Sequence, residues 1–200
     1  MRSEIYQKLA GNTDLEDYSN VQKRVVKYQK EAIDLFKEML LIGIKGDMLK
    51  KVIIYGLDPE SEDYSVKLKK HMDAIHKIET GELSEEVLSS EKFAKLFHYY
   101  LGINTESAEM IQVLLNWVLG VERIDNVGLA EENSDCCWYL ARANEVLQTS
   151  FESIMETNIR KLAARYPNKF TSESALNRNL DAERAILEAG LTRNTKDKKV

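Results

Sequence analysis

Residues 93–119 read FAKLFHYYLGINTESAEMIQVLLNWVL, and residues 128–147 read GLAEENSDCCWYLARANEVL. In both stretches the apolar side chains recur at steps of three and four residues, which is the spacing of one face of an α-helix. The stripe of the first stretch consists of Phe93, Leu96, Phe97, Tyr100, Ser107, Met110, Ile111, Leu114 and Val118. The first stretch is either one helix or two helices divided at residues 102–104, and a loop at 120–126 follows it. The patterns predict amphipathic helices that pack as neighbours through their apolar faces.

The rest of the chain follows the same period. Further helices are predicted at 18–44, 48–53, 63–78, 150–165 and 181–188, and Ser90 is a good N-cap for the helix after it. The chain of 200 residues contains 9 Gly and 2 Pro, too few for the many tight turns of a β-sandwich or barrel. We therefore predict an all-α fold with an N-terminal helical extension at 1–90, a compact helical unit at 91–190 and a charged flexible tail at 191–200.

The charge balance excludes several classes of partner. The 28 basic and 33 acidic residues give a net charge of -5, so the clustered cations that bind a phosphate backbone are missing and no nucleic-acid partner is expected. No apolar run approaches ~18 residues and the first residues form no leader, so we expect no membrane partner. Cys136 and Cys137 are adjacent and cannot close an ordinary disulfide loop. We expect a cytoplasmic protein in which both cysteines are small buried apolar residues.

Two pairs of acidic residues indicate a candidate metal site. Glu106 and Glu109 are spaced i, i+3, and so are Glu132 and Asp135. At about 100° per residue, each pair lies on the same side of its apolar stripe. If the two helices pack through these stripes, the four carboxylates converge, and their repulsion favours bound Mg²⁺ or Mn²⁺. The alternative is that they are ordinary acidic pairs on solvated helix faces.

Groups of opposite charge follow on the next predicted helix. Asn158, Lys161 and Arg165 stand at i, i+3 and i+7 along one edge of its apolar stripe. A metal cluster beside Lys and Arg is what a triphosphate needs, because the metal bridges oxygens while the basic groups neutralise the remaining charge. The alternative is a solvated basic last turn that complements the helix dipole. The chain has no glycine-rich phosphate loop, and no histidine stands at a spacing that would support a hydrolase triad.

The acidic stretches resemble the MazG-like all-α nucleoside triphosphate pyrophosphohydrolases. The motif of that family is Glu-x-x-Glu on one helix and Glu-x-x-Asp on the next, and here it reads ESAE at 106–109 and ENSD at 132–135. The segment NIRKLAARYPNKF at 158–170 and the segment ALNR at 175–178 look like the tail of one branch of the family. The resemblance covers about residues 93–188 and implies a MazG-like helical bundle.

The resemblance also implies a site and a reaction. Glu106, Glu109, Glu132 and Asp135 would be the catalytic residues and would bind Mg²⁺ or Mn²⁺, whereas Asn158, Lys161, Arg165 and Arg178 would contact the phosphates of the substrate. A nucleoside or deoxynucleoside triphosphate would be hydrolysed to the monophosphate and pyrophosphate, as housekeeping of the nucleotide pool. Water would attack across the α–β anhydride while a carboxylate helps to take its proton. Family members assemble as homo-oligomers, so a dimer or tetramer is expected.

The sequence departs from the family pattern at three places. Thr105 stands where a leading Glu often precedes the first motif, and Asn133-Ser134 replaces the usual Leu-Gly. The basic segment that often follows the first acidic helix is replaced by residues 115–120. Two alternatives to a nucleoside triphosphate hydrolase stay open, the first of them because of the N-terminal extension and the missing leading Glu. One is a catalytically inactive helical scaffold or regulatory module that retains a metal or nucleotide site, and the other is a related pyrophosphatase that acts on phosphoribosyl-ATP.

Overall fold

The structure, a computed structural model, describes residues 3–197 and the side chains of residues 3–190. All regular secondary structure in these residues is helical and none is strand, which confirms the all-α prediction. The helices are α1 (Ser3–Gly11), α2 (Ser19–Lys27), α3 (Gln29–Ile53), α4 (Glu62–Glu79), α5 (Glu85–Leu88), α6 (Glu91–Val118), α7 (Asn126–Val146), α8 (Phe151–Arg165), α9 (Ser172–Leu176) and α10 (Leu180–Asp197).

Local sequence explains where most of these helices begin. The hydroxyl of Ser90 accepts a hydrogen bond from the backbone N–H of Phe93 at 3.1 Å, which confirms the predicted cap of α6. Ser or Thr side chains cap α4, α5, α8 and α9 in the same way, and the carboxylate of Asp125 caps α7. Helix α6 continues through residues 102–104 without a break, so the first acidic stretch forms one helix.

Some boundaries differ from the sequence predictions. The helix predicted at 18–44 is divided at Tyr28 into α2 and α3, while α3 continues through Gly43 and Gly46, where a break was predicted. An internal glycine costs a helix about 1 kcal/mol but removes no hydrogen bond, so it weakens the helix without ending it. Helix α10 is longer than the predicted 181–188. Residues 191–197 of the flexible tail expected at 191–200 belong to this helix, and residues 198–200 lie outside the described residues.

Two antiparallel helix pairs form the frame of the molecule. Helices α6 and α7 make the most extensive contact, α8 packs along α10, and α1 lies across α7 and α8. Glycines allow both pairs to approach closely, because a Cβ atom at Gly102 would lie 2.2 Å from the ring of Tyr139, and one at Gly190 would lie 2.2 Å from Oγ1 of Thr157. The spacing of the α6–α7 pair therefore depends on a residue without a side chain.

A polar network joins the start of the chain to the α6–α7 pair. The carboxylate of Asp14, between α1 and α2, is 2.9 Å from the Tyr18 hydroxyl and 2.8 Å from Nε of Arg142, and it also accepts a hydrogen bond from Tyr99. Burial acts to raise the pKa of Asp14, but hydrogen bonds from Tyr99, Arg142 and Tyr18 outweigh it and lower that pKa. Tyr18 and Tyr99 are buried in the same cluster as Ala94 and Ala143. The first helices thus complete the main hydrophobic core.

Many large apolar side chains are exposed, and the total surface is large. The accessible area is 14,532 Å², whereas a globular monomer of 23.0 kDa exposes about 9,600 Å². Large exposed side chains lie along α3 and at the ends of α6 and α7 that flank their loop, including Trp117, Val118 and Val127. No helix in the described part of the chain has the length and hydropathy needed to cross a bilayer. This surface is larger than an isolated compact chain of this size needs.

Candidate functional site

Three of the four predicted acidic ligands come together. Glu106 and Glu109 on α6 and Glu132 on α7 each place one carboxylate oxygen within 4.8 Å of the others. Glu106 and Glu132 are half-buried at the helix contact, and Glu109 is exposed. Among the residues that the structure describes, no other group of three or more acidic, histidine or cysteine side chains is close enough to hold one metal ion. We call these three residues the glutamate cluster.

The contact between Gly102 and Tyr139 positions the glutamate cluster. Gly102 precedes Glu106 by about one helical turn, and Tyr139 follows Glu132 by two turns on the same face of α7. The Tyr139 ring occupies the space that a side chain at residue 102 would need. Because the helices touch at this point, the carboxylates one or two turns away are held at short distance.

The electrostatics of the cluster suit a cation. The pKa of Glu132 is raised to about 7, first by its hydrogen bond with Glu106, then by burial and by the negative charges of Glu109, Glu106 and Glu131. Three carboxylates within 4.8 Å of one another concentrate negative charge here, which a cation would neutralise. Oxygen donors of this kind are the preferred ligands of Mg²⁺ and Mn²⁺, so the residues present fit the predicted metal.

We expect metal binding at the cluster to depend on pH. Metal must displace the proton of Glu132, so the affinity for Mn²⁺ should rise about tenfold between pH 6 and pH 8 around a pKa near 7. Isothermal titration calorimetry in two buffers of different ionisation enthalpy would report the released proton. In Glu132→Gln the pH dependence should disappear, and an affinity of the unaltered protein that stays constant from pH 6 to pH 8 would contradict the expectation.

Gly102→Ala should separate the two acidic helices. Its Cβ atom would lie within 2.6 Å of three atoms of the Tyr139 ring, so we expect a loss of about 1–3 kcal/mol in the free energy of unfolding and weaker Mn²⁺ binding. Urea denaturation and metal titration would measure the two effects. Asn104→Ala, at an exposed position on the same helix, is the control and should change stability by less than about 0.5 kcal/mol. Equal behaviour of the two variants would show that the close contact is unimportant.

Asp135, the fourth predicted ligand, lies outside the cluster. It is exposed on α7, and its charge contributes, after burial, to the raised pKa values of Tyr139 and of Tyr6 on α1. The Tyr6 hydroxyl donates a hydrogen bond to the carbonyl of Ser134 at 3.3 Å. Asp135 therefore lies beside the cluster, on the side of α7 that faces α1.

The residues that depart from the family motif are accommodated within their own helices. The Thr105 hydroxyl lies 2.7 Å from the carbonyl of Gly102 and 3.3 Å from Oε1 of Glu106. Asn133 and Ser134 bond to backbone carbonyls of α7, at Leu129 and Glu131. Thr105 thus supplies a hydroxyl next to the cluster where the family often has a carboxylate.

The predicted phosphate-binding residues lie at the other helix pair, with Asn158, Lys161 and Arg165 on α8 and Arg178 in the loop before α10. Asn158 and Lys161 are half-buried on α8, while Arg165 and Arg178 both form two hydrogen bonds to Glu183 of α10. Glu183 is 4% exposed, and hydrogen bonds from Arg165 and then Arg178 lower its pKa to about 2. In the described residues no hydrogen bond or ion pair joins the predicted phosphate-binding residues to the glutamate cluster.

The sequence analysis missed some residues and misplaced one. The roles of Gly102 and Glu183 were not predicted, although Glu183 falls in the tail that resembles the family, because their partners are set by tertiary packing. Cys136 is half-buried and lies against Ser107, but Cys137 is exposed, so the prediction of two buried cysteines is wrong for Cys137. Adjacent helical residues point about 100° apart, so one of the two turns away from α6.

Comparisons with known proteins identify no relative. No family model, no curated protein and no solved structure matches the chain. The likeness to the MazG-like enzymes therefore rests on the motifs at 106–109, 132–135 and 158–178. The activity is inferred below from these motifs together with the geometry of the glutamate cluster.

Proposed function

We propose that the protein is a Mg²⁺-dependent nucleoside triphosphate pyrophosphohydrolase of the MazG-like kind. It converts a nucleoside or deoxynucleoside triphosphate to the monophosphate and pyrophosphate, as cytoplasmic housekeeping of the nucleotide pool. The observation that carries the proposal is the approach of the Glu106, Glu109 and Glu132 oxygens to within 4.8 Å across two helices. The class of reaction is inferred from the motifs within residues 93–188 that resemble those of the MazG-like enzymes.

The glutamate cluster would hold the metal. A bound Mg²⁺ or Mn²⁺ would neutralise phosphate charge and act as a Lewis acid. Asp135, beside the cluster and outside it, is then available to accept the proton of the attacking water. The water hydroxyl joins one phosphoryl group, the bridging P–O bond breaks, and its electron pair leaves with the bridging oxygen.

The basic residues of α8 would bind the phosphates. Lys161 forms no ion pair with the described residues and is available to an anion. Arg165 and Arg178 are already paired with the Glu183 carboxylate. A phosphate must therefore either share the two guanidinium groups with Glu183 or displace it. The predicted assembly as a dimer or tetramer belongs to the same proposal.

One assay tests the activity. Pyrophosphate released from each natural NTP and dNTP, with and without Mg²⁺, should show Mg²⁺-dependent turnover of at least one of them, and phosphoribosyl-ATP extends the panel to the related pyrophosphatase. The engagement of both arginines by Glu183 favours the alternative of an inactive regulatory module. Binding of metal or nucleotide without product across the panel would support that alternative and reject the hydrolase.

A further inference from the structure

Helix α3 carries apolar residues on two opposite faces. Ile44 and Met48 are buried on the inner face. The outer face carries Leu35, Ile42, Leu49 and Ile53, all exposed, with Ile42 at 68% and Ile53 at 71%. The first three are spaced by seven residues, and the fourth follows after four, which is the spacing of a coiled-coil seam. The outer face thus has the pattern of a helix that pairs with another helix.

Two glycines lie within or beside this seam. A side chain at Gly43 or Gly46 would meet no other part of the described chain within 4 Å. Each glycine lowers the stability of the helix by about 1 kcal/mol relative to alanine, and contacts within the chain do not explain the choice. Small residues beside exposed Leu and Ile are expected where the backbone of a second helix approaches.

We propose that α3 pairs antiparallel with α3 of a second copy of this chain, about a two-fold axis that passes between residues 40 and 41. In this register Leu35 packs on the partner's Gly46, and Met39 packs on the partner's Ile42. Farther from the axis, Ala32 meets the partner's Leu49, and the partner's Ile53 lies beside Tyr28, the residue directly before α3. The central layers pair Met39 with Ile42, and the layers beside them pair a large with a small side chain, Leu35 with Gly46 and Leu49 with Ala32, which suits a packed seam.

Charges beside the seam select this register. Glu38 flanks it on the same side as Lys45, and neither forms an ion pair within the described residues. In the proposed pairing Glu38 faces the partner's Lys45 twice, once on each side of the axis. A parallel pairing would instead place Lys45 beside the partner's Lys50, which is repulsive. In an antiparallel pair the two helix dipoles also point in opposite directions, which is electrostatically favourable.

The exposed surface is large enough to include an interface of the size that a stable homodimer needs. The chain exposes 14,532 Å², about 5,000 Å² more than a compact monomer of this mass. An obligate homodimer interface covers about 2,000–5,000 Å² in total. Because α3 lies outside residues 93–188, this inference does not depend on the proposed hydrolysis. It shares with the proposed function only the expectation of an oligomer, and it assigns that oligomer a face that the resemblance does not.

Charge reversal on the full chain tests the pairing. Glu38→Lys and Lys45→Glu each place like charges together twice, so each should weaken dimerisation about tenfold in sedimentation experiments. Mixing the two variants should restore a heterodimer, and the double variant E38K/K45E should restore a homodimer. Asp34→Lys on the same helix is off the seam and serves as the control.

The outcomes separate this assembly from others. Ile42→Asp should reduce the oligomer while the helical circular dichroism signal is retained. The proposal is overturned if the unaltered protein is monomeric at micromolar concentration. It is also overturned if both single charge reversals and Ile42→Asp leave the oligomer mass unchanged, or if the mixed variants fail to recover it. Turnover of nucleotides is read in a separate assay, so failure of either proposal can be recognised by itself.

Discussion

Glu109→Gln will lower Mg²⁺-dependent pyrophosphate release by at least about a thousandfold. Glu109 is exposed, so its amide replacement keeps the shape of the side chain and leaves the packing of α6 intact. The substitution removes a negative charge from the glutamate cluster, so both the metal affinity and the turnover should fall. Steady-state release of pyrophosphate and Mn²⁺ titration measure both losses.

A pair of controls makes this result specific. Glu152→Gln, at an exposed position on α8, should leave turnover within about twofold of the unaltered protein. Asp135→Asn should retain metal binding but lose turnover, because Asp135 lies outside the cluster. Full activity of Glu109→Gln would remove the glutamate cluster from the reaction, and equal loss of metal binding in both acidic variants would show that Asp135 is a ligand.

Asp14→Ala will lower the free energy of unfolding by about 3–5 kcal/mol. The Asp14 side chain is 2% exposed and accepts hydrogen bonds from Arg142, Tyr18 and Tyr99. Its removal leaves a guanidinium in a mostly buried place without its carboxylate partner, which is more costly than the loss of the interaction itself. Urea denaturation followed by circular dichroism measures the change.

The neighbouring sequence provides the comparison. Glu16→Ala, two residues away and exposed, should change stability by less than about 0.5 kcal/mol. The double variant D14A/R142M removes both charges and should recover part of the loss. If Asp14→Ala unfolds at the same urea concentration as Glu16→Ala, the network does not stabilise the fold.

The spacing of apolar residues was sufficient to predict the helices and the residues that share one face of each helix. The apolar steps between residues 93 and 119 predicted α6, Ser90 predicted its start, and the shared side of the two stripes predicted that Glu106, Glu109 and Glu132 would meet. A helical wheel gives only the direction of each side chain around its helix, so it also placed Asp135 in the metal site. In the structure Asp135 lies outside the glutamate cluster, on the side of α7 near α1.

Long-range partners could not be predicted. Asp14 and Arg142 are separated by 128 positions, and no local pattern relates one to the other. The same holds for Glu183, which binds both Arg165 and Arg178, since charge alone does not predict which acidic residue an arginine will contact. The continuity of α3 was missed because glycine weakens a helix without ending it.

The network at Asp14 has a consequence for how this molecule can be divided. The resemblance begins near residue 93, yet the buried carboxylate that neutralises Arg142 belongs to residue 14, and Tyr18 fills the same core as Tyr99. A variant that contains only the segment from about residue 93 onward would lose the carboxylate partner of Arg142 and would expose the apolar core around Tyr99 to water. The segment that resembles the family and the first helices therefore form one folding unit, and a variant that keeps only the former should be less stable.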